Sequence, residues 1–146
     1  MILLKMSNIK NQSIEVLSFS HGLSMPLFGD EITHKRKVGR VVHQDFTFIK
    51  YTNELSPLLN LTLCKGEVID TVSIEFSGIW TADEKNKKQE LNFCIEFKNC
   101  ILTNISISGG DYGNSVETVC FSYGEIEWKY NGKDKKNSST ASWKKE

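Results

Sequence analysis

The feature that most constrains this chain is an alternation of apolar and polar residues that recurs along nearly its whole length and is interrupted by one short helical stretch. Successive side chains of a strand point to opposite faces, so a period of two marks a chain built from sheets. Residues 2–9 read as a first strand. Residues 13–22 are a stronger one, with Ile14, Val16, Ser18 and Ser20 on one face and Glu15, Leu17, Phe19 and His21 on the other. Residues 23–37 break the pattern with Pro26, Gly29 and Asp30, and end in the basic run His34-Lys35-Arg36-Lys37, which predicts a long exposed loop. Strand character returns over 38–51 with Val41, Phe46, Phe48 and Tyr51.

The one predicted helix follows. Ser56 caps its first turn, and Pro57 stands where no backbone donor is needed. Leu58, Leu59, Leu61, Leu63 and Cys64 supply apolar surface to dock on a sheet, and Gly66 stops the helix. Beyond it, strands over 68–80 and 89–97 flank the polar stretch 81–88 as a hairpin, and 99–108 reads as a further strand. Gly109-Gly110-Asp111-Tyr112-Gly113 reads as a flexible loop, with strands over 116–123 and 125–130 closing around Gly124. Asn131-Gly132 is a turn signal, residues 133–146 form a mobile tail, and Trp143 anchors its end.

Length and composition bound the rest. A chain of 146 residues is expected to be a single domain, residues 1–146, able to close one core without staples. Its apolar share of 39% is too high for disorder, and no apolar run is long enough to insert in a membrane. Eighteen basic residues balance eighteen acidic ones, which removes the positive field expected of a nucleic-acid binder. Cys64, Cys94, Cys100 and Cys120 lack zinc-finger spacing and sit among apolar residues, so buried free thiols are expected rather than zinc ligands or disulfides. The N-terminus has a short apolar patch without a basic region or a cleavage site, so any export is expected to proceed without a classical signal peptide.

No motif predicts catalysis, a cofactor or a bound metal. His21, His34 and His43 match no metal-ligand pattern and read as surface or interface residues. The Gly109–Gly113 stretch links strand to strand, so no helix dipole would help it hold a phosphate, and it reads as a hairpin loop. Lys35, Arg36 and Lys37 in a neutral protein read as solvated charge or as a salt bridge to a partner subunit. Strands apolar on both faces, with Tyr51, Trp80, Tyr123, Trp128 and Trp143 spread along the chain, leave more apolar surface than a monomer hides and predict self-association.

The order of segments resembles one family. Residues 14–22, ending Phe19-Ser20-His21-Gly22, resemble the second-strand motif of the Hcp (haemolysin-coregulated protein) family of type VI secretion systems. Gln44-Asp45-Phe46-Thr47-Phe48, followed by Lys50, is similar to its next motif. Ser56-Pro57-Leu58-Leu59 stands at its helix start, and 106–113 resembles its serine-rich Gly-Gly loop. The resemblance implies an all-β fold: a closed barrel of two β-sheets with one short flanking α-helix. It also implies a homo-hexameric ring stacked into the inner tube of a contractile machine, with spike, sheath and effector proteins as partners. Such a protein is cytoplasmic before assembly and is then secreted. A non-polymerising effector-binding adaptor or chaperone, or the tail-tube protein of a phage-like contractile particle, is the alternative. By the same resemblance Ser18 and Ser20 are expected to contact cargo in the channel, Lys35, Arg36 and Lys37 to make stacking contacts, and Gly109, Gly110 and Asp111 to contribute on a ring face. Two departures from the family pattern, a short connection over 8–13 and a long charged hairpin over 80–88, mark where stacking would differ.

Overall fold

The computed structural model describes residues 1–29, 36–82, 87–131 and 138–145, and over 78–91 its backbone alone. The central sheet is built on two long antiparallel strands, β9 (Val68–Ala82) and β10 (Lys87–Ser108). One edge of β9 pairs with β1 (Ile2–Met6), which pairs in turn with β2 (Ile14–Glu15). On the other side β10 pairs with β11 (Val116–Ser122), β11 with β8 (Phe46–Tyr51), and β8 with β3 (Ser18–Ser20). The ends of this path, β2 and β3, are consecutive pieces of one bent segment. Val16 donates its N–H to the Ile2 carbonyl on one side, while Leu17 donates to the Ile49 carbonyl on the other. The sheet therefore closes on itself through residues 14–20.

That closure corrects the expected face of the second strand. Ile14 and Val16 point into the core, but Leu17 and Ser18 are both exposed, and Phe19 then turns inward. A strand that changes partners at residues 16–17 shifts its alternation by one, so Ser18 and Ser20 lie on the outer face, opposite to Ile14 and Val16.

The expected separate strands over 89–97 and 99–108 are one strand. β10 bends at Asn99, whose φ of 56° is left-handed, and changes partners there. Its first half pairs with β12 (Glu125–Asn131) and its second half with β11. β12 in turn holds β13 (Ser139–Lys144), so the expected mobile tail is, over these residues, an outer strand.

The expected loop over 23–37 is also structured where it is described. β4 (Leu23–Ser24) pairs with β7 (Val42–His43), and β5 (Leu27–Gly29) with β6 (Arg36–Val38). Gly39 N–H donates to the Pro26 carbonyl between the two ladders. Over its described residues the segment is an arm paired with itself and not with the barrel.

The barrel interior is filled by Leu4, Ile14, Phe46, Phe48, Val72, Ile74, Phe97, Val119 and Phe121, all essentially inaccessible. Phe46 stands at its centre, with ring centroids 5.0 Å from Phe97 and 5.2 Å from Phe121. The helix α1 (Ser56–Lys65) ends on Gly66 with φ of 62°, the stop read from the sequence. Its other expectations change. Leu59 is buried, but Leu58, Leu61 and Cys64 are exposed. Ser56 is the first helical residue rather than the cap, and its hydroxyl is engaged elsewhere. Of the four cysteines only Cys100 is fully buried, Cys94 and Cys120 are half-buried, and all four are free thiols. Burial pushes the Cys100 thiol up to about 12, which keeps it protonated and inert.

Candidate functional site

Three surfaces and two polar clusters stand out. The first surface is the outer face of β3, β8, β11 and the second half of β10. Register places Ser20 beside Thr47, Thr47 beside Cys120 and Cys120 beside Asn104; Ser18, Ile49, Thr118 and Ser106 form the next row. This face carries short, uncharged side chains. Thr47 Oγ1 and Cys120 Sγ lie 3.3 Å apart in a hydrogen bond. Such a surface grips nothing strongly, because it offers single hydroxyls rather than paired charges.

The second surface is the arm. Leu23, Met25, Leu27, Phe28, Val38 and Val42 are all largely exposed, with Phe28 at 62% and Val38 at 69%. Arg36 and Lys37 are exposed on β6, opposite Gly29 and Phe28. Lys35 and His34 lie outside the described residues.

The third is the loop after β10. Gly109, Gly110 and Asp111 are exposed there, and Tyr112 is 98% exposed. Asp111 and the arm lie at opposite ends of the barrel. β8 runs against β11 with Phe46 opposite Phe121 and Tyr51 opposite Val116. The arm returns three residues before Phe46, whereas the glycine loop enters β11 just before Val116.

The first polar cluster was not read from the sequence. Lys50 is fully buried and donates to the Glu117 carboxylate, to the Tyr51 carbonyl at 2.9 Å and to Ser56 Oγ at 3.0 Å. Ser56 Oγ donates to the same carboxylate at 2.8 Å and accepts the Asn53 N–H at 3.0 Å. The alternation of β8 signalled it, because Lys50 falls on the inward row with Phe46 and Phe48, and an inward lysine needs an inward acid. The cluster ties β8, β11 and the first turn of α1 together.

The second cluster gathers two of the histidines read as surface or interface residues. His21 Nε2 and His43 Nδ1 each lie 2.7 Å from the Tyr123 hydroxyl, and Lys145 Nζ sits 4.0 Å above the Tyr123 ring. Burial, then the neighbouring His43 and Lys145, lowers the pKa of His21 against an opposing hydrogen bond that it donates to the Gln44 backbone. Burial and then Lys145 lower that of His43. Burial and then Asp45 raise that of Tyr123. His43 Nε2 is buried without a hydrogen-bond partner. The pair is legible only in three dimensions, since His21 ends β3 and His43 ends the arm. Among the described residues no group of three or more metal-ligating side chains converges, and no helix is long and apolar enough to cross a membrane.

With this geometry in place, a family model described as "Type VI secretion system effector, Hcp" matches residues 6–130. The chain belongs to the Hcp family. Among curated proteins nothing matches. Among solved structures, the Hcp1 protein of E. coli EAEC 042 is similar at 25% identity, with 98% of this chain and 95% of that one covered and a TM-score of 0.71. A type VI secretion system effector from Yersinia pestis shares 18% identity over 99% of each chain, with a TM-score of 0.69. A chain of the baseplate of the anti-feeding prophage shares 13% identity over 90% of this chain and 91% of that one, with a TM-score of 0.55. These likenesses bear out the all-β, Hcp-like fold with one flanking helix. Membership makes the chain a secreted, tube-type component of a type VI system.

Proposed function

We propose that this Hcp-family chain forms homo-hexameric rings that stack into the inner tube of a type VI secretion machine, carry effector proteins in the channel and are expelled with them. The observation that carries the reading is the arm, which extends from the barrel and, over its described residues, pairs with itself alone and exposes six apolar side chains. Apolar surface held out in that way needs a covering partner, and a second copy of the same chain is the partner that repetition supplies. Arg36 and Lys37 on the arm, with Lys35 beside them in sequence, act in the contact between copies, as do Gly109, Gly110 and Asp111 at the other end.

Ser18 and Ser20 belong to the channel wall in this reading. Their short-hydroxyl sheet face suits a conduit, since cargo passes over it without being trapped. The chain acts as a scaffold and not as an enzyme.

Light scattering coupled to size-exclusion chromatography tests the reading. The expected result is a particle about six times the 16.6 kDa of one chain; a strictly monomeric protein at high concentration overturns it. Ser20→Arg is expected to leave the ring intact and abolish protection of a bound effector from proteolysis. Unchanged protection would remove Ser20 from the channel.

A further inference from the structure

At the base of the arm lies a cavity of about 410 Å³, lined by Met25, Arg40, Val41, His43, Trp143 and Lys145. Its volume falls in the lower part of the roughly 300–1,000 Å³ range of pockets that enclose small ligands, ample for one aromatic side chain. Its chemistry is specific. Trp143 and Met25 are about half exposed and give it an apolar wall. Among the described residues neither Arg40 nor Lys145 has a carboxylate within ion-pair distance. Asp45, the acid whose charge acts on Lys145 and Tyr123, already accepts the Thr103 hydroxyl at 2.7 Å. His43 Nε2 is buried and unpartnered, while its Nδ1 is held by Tyr123. The occupant that suits this set has an aromatic body and a carboxylate for the two cations.

The same chain carries that combination at its other end. Tyr112 is 98% exposed at the tip of the glycine loop, and Asp111 beside it is exposed as well. Within one molecule the two features cannot meet. The cavity adjoins the Phe46 and Phe121 end of β8 and β11. The loop adjoins the other end, where Thr52 N–H donates to the Ser115 carbonyl, five residues or about 17 Å away at 3.3 Å per residue. We infer that Tyr112 and Asp111 of one copy dock in the Met25–Trp143 cavity of the next. The Tyr112 ring packs between Met25 and Trp143, and the Asp111 carboxylate lies against Arg40 and Lys145. A knob at one end and a socket at the other make a heterologous contact, which repeats head to tail. The inference rests on the tube reading and assigns the residues of its ring-to-ring contact.

Disulfide trapping tests it. In a background with the exposed Cys64 replaced by serine, chains carrying only Tyr112→Cys are mixed with chains carrying only Met25→Cys under oxidising conditions. The expected result is a disulfide-linked pair in the mixture, and a ladder of multimers when one chain carries both changes. Asp111→Lys in that doubly substituted chain is expected to lose the ladder, and adding Arg40→Asp to restore it. If light scattering shows rings but no pair forms and Asp111→Lys changes nothing, the docking is overturned while the tube reading stands. A disulfide from Met25→Cys to a cysteine at Phe28, and none to one at Tyr112, would put a neighbour's arm in the cavity and also overturn it. A chain that stays monomeric and yields no ladder overturns both readings.

Discussion

Single side chains carry much of what sets this barrel apart from a generic one. An ammonium and a carboxylate buried together, as in Lys50 and Glu117, are held by their mutual attraction and by Ser56 and the Tyr51 carbonyl. Removing one partner strands the other charge, so Lys50→Met is expected to cost about 3–5 kcal/mol, whereas Lys50→Met with Glu117→Leu recovers most of that loss. Urea unfolding midpoints of the two variants check this; equal midpoints for both would mean that the pair is not the tie. The histidines make an opposite demand. The pKa values of His21 and His43 are lowered in the folded protein from an ordinary 6.5, so the unfolded chain binds protons more readily. Stability is then full above pH 6.5 and falls as the pH drops through that value toward the lower folded pKa values. The urea midpoint is expected to fall between pH 7.5 and pH 5, and replacing both histidines with glutamine is expected to flatten the fall. An identical slope in the double variant would show that other groups set it.

Among the elements, β10 depends on a single backbone conformation. Asn99 adopts a φ of 56° where the strand bends and exchanges β12 for β11. Asparagine tolerates that region because its short side chain bonds locally, whereas a β-branched residue does not. Asn99→Val is expected to destabilise the fold by about 1–2 kcal/mol, and Asn99→Gly to be nearly neutral. Thermal melts of the two variants check the contrast; a valine variant as stable as the wild type would remove the bend from any account of how β10 exchanges partners. The same site shows the reach of sequence reasoning. The alternation on both sides of Asn99 was legible, but nothing local distinguishes a strand that ends there from one that bends. In the same way the inward lysine was visible in the period of β8, while its acid, 67 residues away, was placed by sheet register alone. The shift at residues 16–17 was hidden because it follows from a change of partner strand and not from residue type. The pairing of His21 with His43 was hidden for the same reason.

On the scale of the whole molecule, the barrel and the arm have different claims on stability. The barrel is a closed sheet around an aromatic core, complete within one chain. Over its described residues the arm has two short ladders, no core and an apolar surface, so it contributes little to the folded monomer and much to whatever covers it. This separation makes a sharp prediction possible. Gly39 N–H meets the Pro26 carbonyl in a bond that already spans the base of the outer ladder, so joining these two residues through a short Asn-Gly turn removes residues 27–38 with little disturbance below. The shortened chain is expected to melt within a few degrees of the full one and to elute as a monomer at concentrations where the full chain forms rings. A shortened chain that still forms rings would move ring closure from the arm to the barrel walls, and the exposed apolar residues of the arm would then act between rings alone. A shortened chain that fails to fold would instead make the arm part of the core, against its exposure and its self-contained pairing.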